Sequence, residues 1–188
     1  MLPRARRSQA RKSTSSQVVA SLQLAVLIIG GASFAQTPPP ADPRYATAEA
    51  VVKELYKLVC VAPGQKTDWE QVRALYIPEA VIVLRTSKTE NTVFSVQGWI
   101  DDFAAWDEKA NVIERGFEEK IVAMKTTEFR DIAHILVRYE ARITSSDKPP
   151  TVGVDSIELI RKDGRWWIAA ITNDLPTPEH PVPAVIAD

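Results

Sequence analysis

Four segments in the C-terminal half of the chain alternate apolar and polar side chains at a period of two. That pattern confines each to a strand with one buried face. Asp163-Gly164 is the strongest anchor, because this dipeptide suits the two-residue type I′ hairpin, in which both central residues need positive φ. It pairs Arg161 with Trp166, Leu159 with Ile168, Ile157 with Ala170 and Asp155 with Thr172. A loop around Asp147 aligns Ile135 with Leu159, Val137 with Ile157 and Tyr139 with Asp155. A turn near Glu128 and Phe129 aligns Ala123 with Ile135, Ile121 with Val137 and Glu119 with Tyr139. The three turns agree on one apolar face, crossed by a row of Glu119, Tyr139, Asp155 and Thr172. Polar groups left unpaired on an apolar surface cost a few kcal/mol each, roughly 2–7 by transfer scales, so such a row is expected where a small molecule sits.

The opposite face of the segment at 132–142 carries His134, Arg138, Glu140 and Arg142, the chemistry of a solvated or partner-facing surface. His134 is therefore expected outside the pocket. Upstream, Asp42-Pro43 reads as a helix start, and Ala48, Val52, Leu55, Tyr56 and Val59 recur at helical spacing, giving an amphipathic helix over 43–60. Thr67 with Glu70 three residues on reads as a capping box opening a short helix that ends at Pro78. Short strands at 81–84 and 92–96 follow, then a third helix over 97–109 with Ile100, Phe103 and Ala104 inward and Trp99 and Trp106 flanking. The expected fold class is α+β, a curved antiparallel sheet covered by three N-terminal helices.

The first 35 residues read as an export signal. Arg4, Arg6, Arg7, Arg11 and Lys12 precede an apolar run from Val18 to Ile29, and Ser33 and Ala35 stand at the minus-three and minus-one positions of a cleavage point before Gln36. The expected organisation is a signal at 1–35, a Pro-rich linker at 36–42, the domain at 43–174 and a Pro-rich tail at 175–188, with the mature chain periplasmic or extracellular and off the membrane after cleavage. The chain has 23 Lys and Arg against 24 Asp and Glu, and loss of the five basic leader residues leaves the mature chain about six charges negative. An acidic domain with no basic cluster argues against nucleic acid as a partner. Cys60 is the only cysteine, so no internal disulfide forms. With His134 and His180 the only histidines, no metal-ligand spacing arises, and neither metal nor cofactor is expected.

The run from Gly153 through Asp163-Gly164 to Ile168 resembles the closing hairpin of the SnoaL-like branch of the nuclear transport factor 2-like superfamily. Gly116 to Glu119 and Ile132 to Glu140 resemble the two strands before it, and the likeness spans about 46–173. The resemblance implies a cone-shaped, cystatin-like α+β roll with a pocket between the long helix and the concave sheet, and a homodimer formed through the outer sheet face. The superfamily includes ketosteroid isomerases, dehydratases, epoxide hydrolases and polyketide cyclases beside members without known chemistry. Its enzymes use a buried Asp base, a His and Asp pair, or an Asp-Arg-Asp set, and none of these matches here residue by residue. Asp155 stands where the family usually has Asn.

Three readings of the row follow. In the first, the domain binds a small, largely apolar molecule without transforming it, with Trp99, Phe103, Ile121, Val137 and Trp166 as walls and Glu119, Tyr139, Asp155 and Thr172 orienting it. In the second, Asp155 or Glu119 takes a proton and Tyr139 donates a hydrogen bond to a developing oxyanion; two carboxylates flanking one tyrosine repel, so at least one holds its proton to higher pH. In the third, the outer face around Leu136, Trp167 and Ala169 is an interaction surface. A purely structural role, with Glu119 paired to Arg73 or Arg115 and Tyr139 to Asp155, stands beside all three.

Overall fold

The computed structural model describes residues 42–187, apart from residue 88. The expected signal at 1–35 and most of the linker lie outside the described residues. Asp42 does accept from the Arg44 N–H at 3.0 Å, but this closes only a 3-10 turn, Pro43–Tyr45. Helix α1 (Ala48–Val59) starts later than expected, because Thr47 is extended and its hydroxyl caps the Ala50 N–H at 3.0 Å. Helix α2 (Trp69–Arg73) is capped by Asp68, whose carboxylate takes the Gln71 N–H at 3.1 Å. Thr67, expected as that cap, is left with its hydroxyl buried and unpaired.

Strand β1 (Tyr76–Arg85) is longer than expected and runs through Pro78 instead of beginning after it. Its ladder is interrupted between Tyr76 and Val81, where a residue lacking an N–H costs no sheet bond. Strand β2 (Asn91–Ser95) folds back on β1, and Ser95 then caps α3 (Val96–Ala110), accepting from the Gly98 N–H at 3.1 Å. Asn111 in the left-handed region separates α3 from a single further turn, α4 (Val112–Arg115). Strands β3 (Phe117–Phe129), β4 (Ile132–Ile143), β5 (Thr151–Lys162) and β6 (Arg165–Asp174) form the expected meander.

The six strands make one sheet in the order β2-β1-β6-β5-β4-β3. The expectation of a purely antiparallel sheet fails at one position, because β6 ends the meander beside β1 and runs parallel to it. The fold is thus α+β with a mixed sheet, its helices on the concave face. The main core lies between them: Val51, Val52 and Leu55 of α1 pack with Ile135, Val137, Ile157 and Ile168 of the sheet. A smaller cluster of Val61, Val112 and Phe117 closes one end.

The register differs from the expected one in particulars that move side chains. Asp163 and Gly164, at φ 53° and 79°, form the expected turn, and Leu159 faces Ile168. A bulge then inserts Ala169, so that Asp155 faces Asn173 and Thr172 faces Ser156. Thr172 is exposed and takes no part in the row. Between β4 and β5 the alignment moves by two residues, placing Tyr139 opposite Gly153 and Val137 opposite Asp155. The β3–β4 turn falls at Arg130 and Asp131, and a second bulge at Val122 leaves Glu119 opposite Ala141 and Ile121 opposite Tyr139.

Beyond β6 the tail crosses to the outer face of the sheet. A 3-10 turn, Ala184–Ile186, lies against β3 and β4, with Ile186 buried and the Arg138 guanidinium donating to the Ala187 carbonyl. His134 is on this outer side, bonded to the Ser156 hydroxyl at 2.9 Å. Leu136, Trp167 and Ala169 are half-buried there, and Arg165 stacks between the rings of Tyr45 and Trp167 at 3.6 and 3.7 Å.

Candidate functional site

The two-residue shifts turn the expected row into a diagonal. Tyr139 is two residues along β4 from the partner of Glu119, and Asp155 is two along β5 from Gly153, the partner of Tyr139. Even shifts keep every side chain on its face, so all three still point into the concave side. The single-residue bulge at Ala169 does not, and it replaces Thr172 by Asn173.

Asp155 is the centre of the cluster. Its Oδ1 accepts from the Asn173 amide at 2.7 Å and its Oδ2 from the Tyr56 hydroxyl at 2.5 Å, while the same amide donates to the Tyr139 hydroxyl oxygen at 2.9 Å. The Tyr139 proton is therefore free to point into the cavity. Glu119 is half-buried, and no described side chain hydrogen-bonds its carboxyl. Arg73 instead pairs with Glu70, and Arg115 reaches Ser145 and the Ala110 carbonyl, so the alternative of a salt-bridged Glu119 is overturned. Its backbone is fixed from α1: the Cys60 thiol donates to the Tyr56 carbonyl at 3.1 Å and accepts the Glu119 N–H at 3.2 Å.

These groups line a chamber of about 130 Å³ walled by Leu55, Val59, Ile82, Trp99, Phe103 and Ile171. A cavity of roughly 150 Å³ takes a benzene ring, so the chamber has room for one small ring or its equivalent. Leu84, Phe103, Glu119, Tyr139 and Asn173 also border a wider funnel of about 660 Å³, which leads outward between Trp106, Lys109, Thr151 and Leu175. Trp99, Phe103 and Trp106 of α3 and Phe117 of β3 form an edge-to-face aromatic series, with ring centroids 5.2 to 5.9 Å apart. Trp99 and Phe103 are walls as expected, whereas Val137 and Trp166 lie in the closed core and Ile121 packs at its border, so those three do not line the chamber.

Burial sets the protonation of the pair. It raises Asp155 to about 6, against the downward pull of its bonds from Tyr56 and Asn173. Glu119 has no such bonds, and burial followed by repulsion from Asp155 pushes it to about 8. At neutral pH, Asp155 carries the charge and Glu119 holds a proton. Burial, and then the charge of Asp155, holds both tyrosine hydroxyls protonated far above their ordinary range.

Sequence reasoning missed Tyr56 and Asn173. Tyr56 stood in the apolar stripe of the first helix, where a buried tyrosine needs a partner for its hydroxyl; that requirement was the available signal. Asn173 carried none, because its inward position depends on the Ala169 bulge.

No family model matches the chain, and no curated protein matches it. Solved structures do. An NTF2-like protein of unknown function from Pseudomonas putida KT2440 is 9% identical over 72% of this chain and 89% of that one, with a TM-score of 0.53. A protein of unknown function with a cystatin-like fold from Nostoc punctiforme is 12% identical over 73% and 98%, TM-score 0.53. Nuclear transport factor 2 from Cryptosporidium parvum is 14% identical over 71% and 96%, TM-score 0.50. At these identities the likeness concerns architecture alone. The described domain has the NTF2-like, cystatin-like fold.

Proposed function

We propose that the chamber binds one small, largely apolar molecule by a polar head, and that the chain is of the SnoaL-like branch of its fold. The likeness of Gly153 to Ile168 to that branch's closing hairpin supports the assignment. The observation that carries the binding reading is the Glu119 carboxyl, unpaired beside a fully bonded Asp155 at the floor of an aromatic-walled chamber. Glu119 is half-buried with its carboxyl on the chamber, so a ligand head placed there gains a hydrogen bond that no protein side chain supplies. Native mass spectrometry of the gently purified protein is expected to retain a small molecule, and benzyl alcohol added to emptied protein is expected to change the tryptophan fluorescence saturably, a response lost in Trp99→Phe. No retained mass together with no saturable response sinks the reading.

The separation of the carboxyls, about 6 against about 8, favours acid/base chemistry as a second reading. Asp155 would take a proton from the carbon next to a carbonyl while Glu119 and Tyr139 donate hydrogen bonds to the enolate oxygen. Deuterium uptake from heavy water into cyclohexanone is the expected activity. Its rate should rise through about pH 6 and fall through about pH 8. Equal uptake by wild type and Asp155→Asn would remove Asp155 as the base.

A further inference from the structure

The chamber contains two carboxyl groups and, among the described residues, no Lys, Arg or His in its lining. The basic residues of the funnel are Arg85 and Lys109, and Arg85 is held by Asp174 through two bonds of 3.0 and 2.8 Å. Tyr56 and Asn173 satisfy the lone pairs of Asp155 but are neutral, so its charge has no counter-ion. Around the carboxyls stand the rings of Tyr56, Tyr139, Trp99 and Phe103, with Tyr56 and Tyr139 5.9 Å apart. Aromatic faces carry negative π density and attract cations, the more so away from water. A neutral head group could bond Glu119 but would leave Asp155 uncompensated, and an anion would be repelled.

We propose that the molecule bound in the chamber is a compact organic cation, a protonated amine on an apolar body, its ammonium between Glu119 and Asp155 and its body against Trp99 and Phe103. The inference rests on the binding reading above and names the chemical class of its ligand. It differs in sign from the acid/base reading, whose carbonyl head needs Glu119 protonated.

The titratable groups facing the pair are Tyr56 from α1, Cys60 just beyond its end, Tyr76 from β1 and Tyr139 from β4, with Arg85 from β1 and Asp102 and Lys109 from α3 at the funnel. None of those inside the chamber is basic. A cation seated there favours the ionised form of Glu119, so binding expels its proton. Amine affinity must therefore rise with pH while the ligand itself stays protonated.

The test compares benzylamine with benzyl alcohol by calorimetry on the emptied full-length protein at pH 6 and pH 8. Benzylamine is expected to bind roughly tenfold more tightly than the alcohol at the higher pH, and more tightly there than at pH 6, with proton release seen as a dependence of heat on buffer. In Glu119→Gln the rise of amine affinity between pH 6 and pH 8 is expected to disappear, and in Asp155→Asn the preference for the amine over the alcohol is expected to fall. Alcohol binding as tight as the amine, or amine affinity flat or falling with pH, overturns the cation and leaves the binding reading standing. Failure of both probes, with no mass retained natively, overturns both.

Discussion

Glu119 and Asp155 share one chamber and differ in what their neighbours give them. Tyr56 and Asn173 stabilise the charged form of Asp155, whereas nothing does so for Glu119, and the proton accordingly resides on Glu119 at pH 7. That difference reaches global stability through linkage. The folded-state value of Glu119, about 8, lies above its ordinary 4.5, so between these limits the native state holds a proton the unfolded chain has lost. The stability this represents is complete below about pH 4.5 and is lost as pH rises through about 8. Glu119→Gln removes the titration. It should be close to neutral at pH 5 and stabilising by about 2–4 kcal/mol at pH 9, less what water entering the chamber returns, as urea unfolding at the two pH values would measure. A variant no more stable than wild type at pH 9 would mean that Glu119 ionises freely in the folded state.

At the scale of elements, β4 and β5 hold the site through one unusual pair. Tyr139 lies across Gly153, and a methyl at Gly153 would overlap the tyrosine ring. Gly153→Ala should therefore swing the ring away from Asn173 and destabilise the fold by about 1–3 kcal/mol, the usual cost of overpacking. In a Tyr139→Leu background the same substitution should cost clearly less, and an additive double-mutant cycle would show that the two residues do not conflict. The same pair shows what was legible in the sequence. Alternation assigned Glu119, Tyr139 and Asp155 to the inner face correctly, because face depends only on parity. It could not fix which residue opposed which, since a loop of several residues between β4 and β5 tolerates a slip of two without exposing any apolar side chain. Asp163-Gly164 pinned its own hairpin because its φ values allow one turn geometry. The bulges at Ala169 and Val122 were illegible, as neither residue type departs from what an ordinary strand contains. Helix starts failed more locally, where two capping residues stand close together and each is used, Asp42 for the 3-10 turn and Thr47 for α1.

At the scale of the molecule, the two faces of the sheet are put to different uses. The concave face carries the helices, the chamber and the carboxyl pair, and the outer face carries charge, with Arg142 bridged to Glu118 at 2.7 Å. The tail adds Ile186 as a buried contact on that outer side, separate from both core clusters. Strand β6 has a position of its own in this arrangement, because it alone joins the β1–β2 hairpin to the β3–β5 meander. It also supplies Ile171 and Asn173 to the chamber. In sequence it follows the other five described strands. A growing chain therefore exposes two unjoined pieces of sheet, each with a bare edge, until β6 has joined them, and the cavity comes into being only with that closing step.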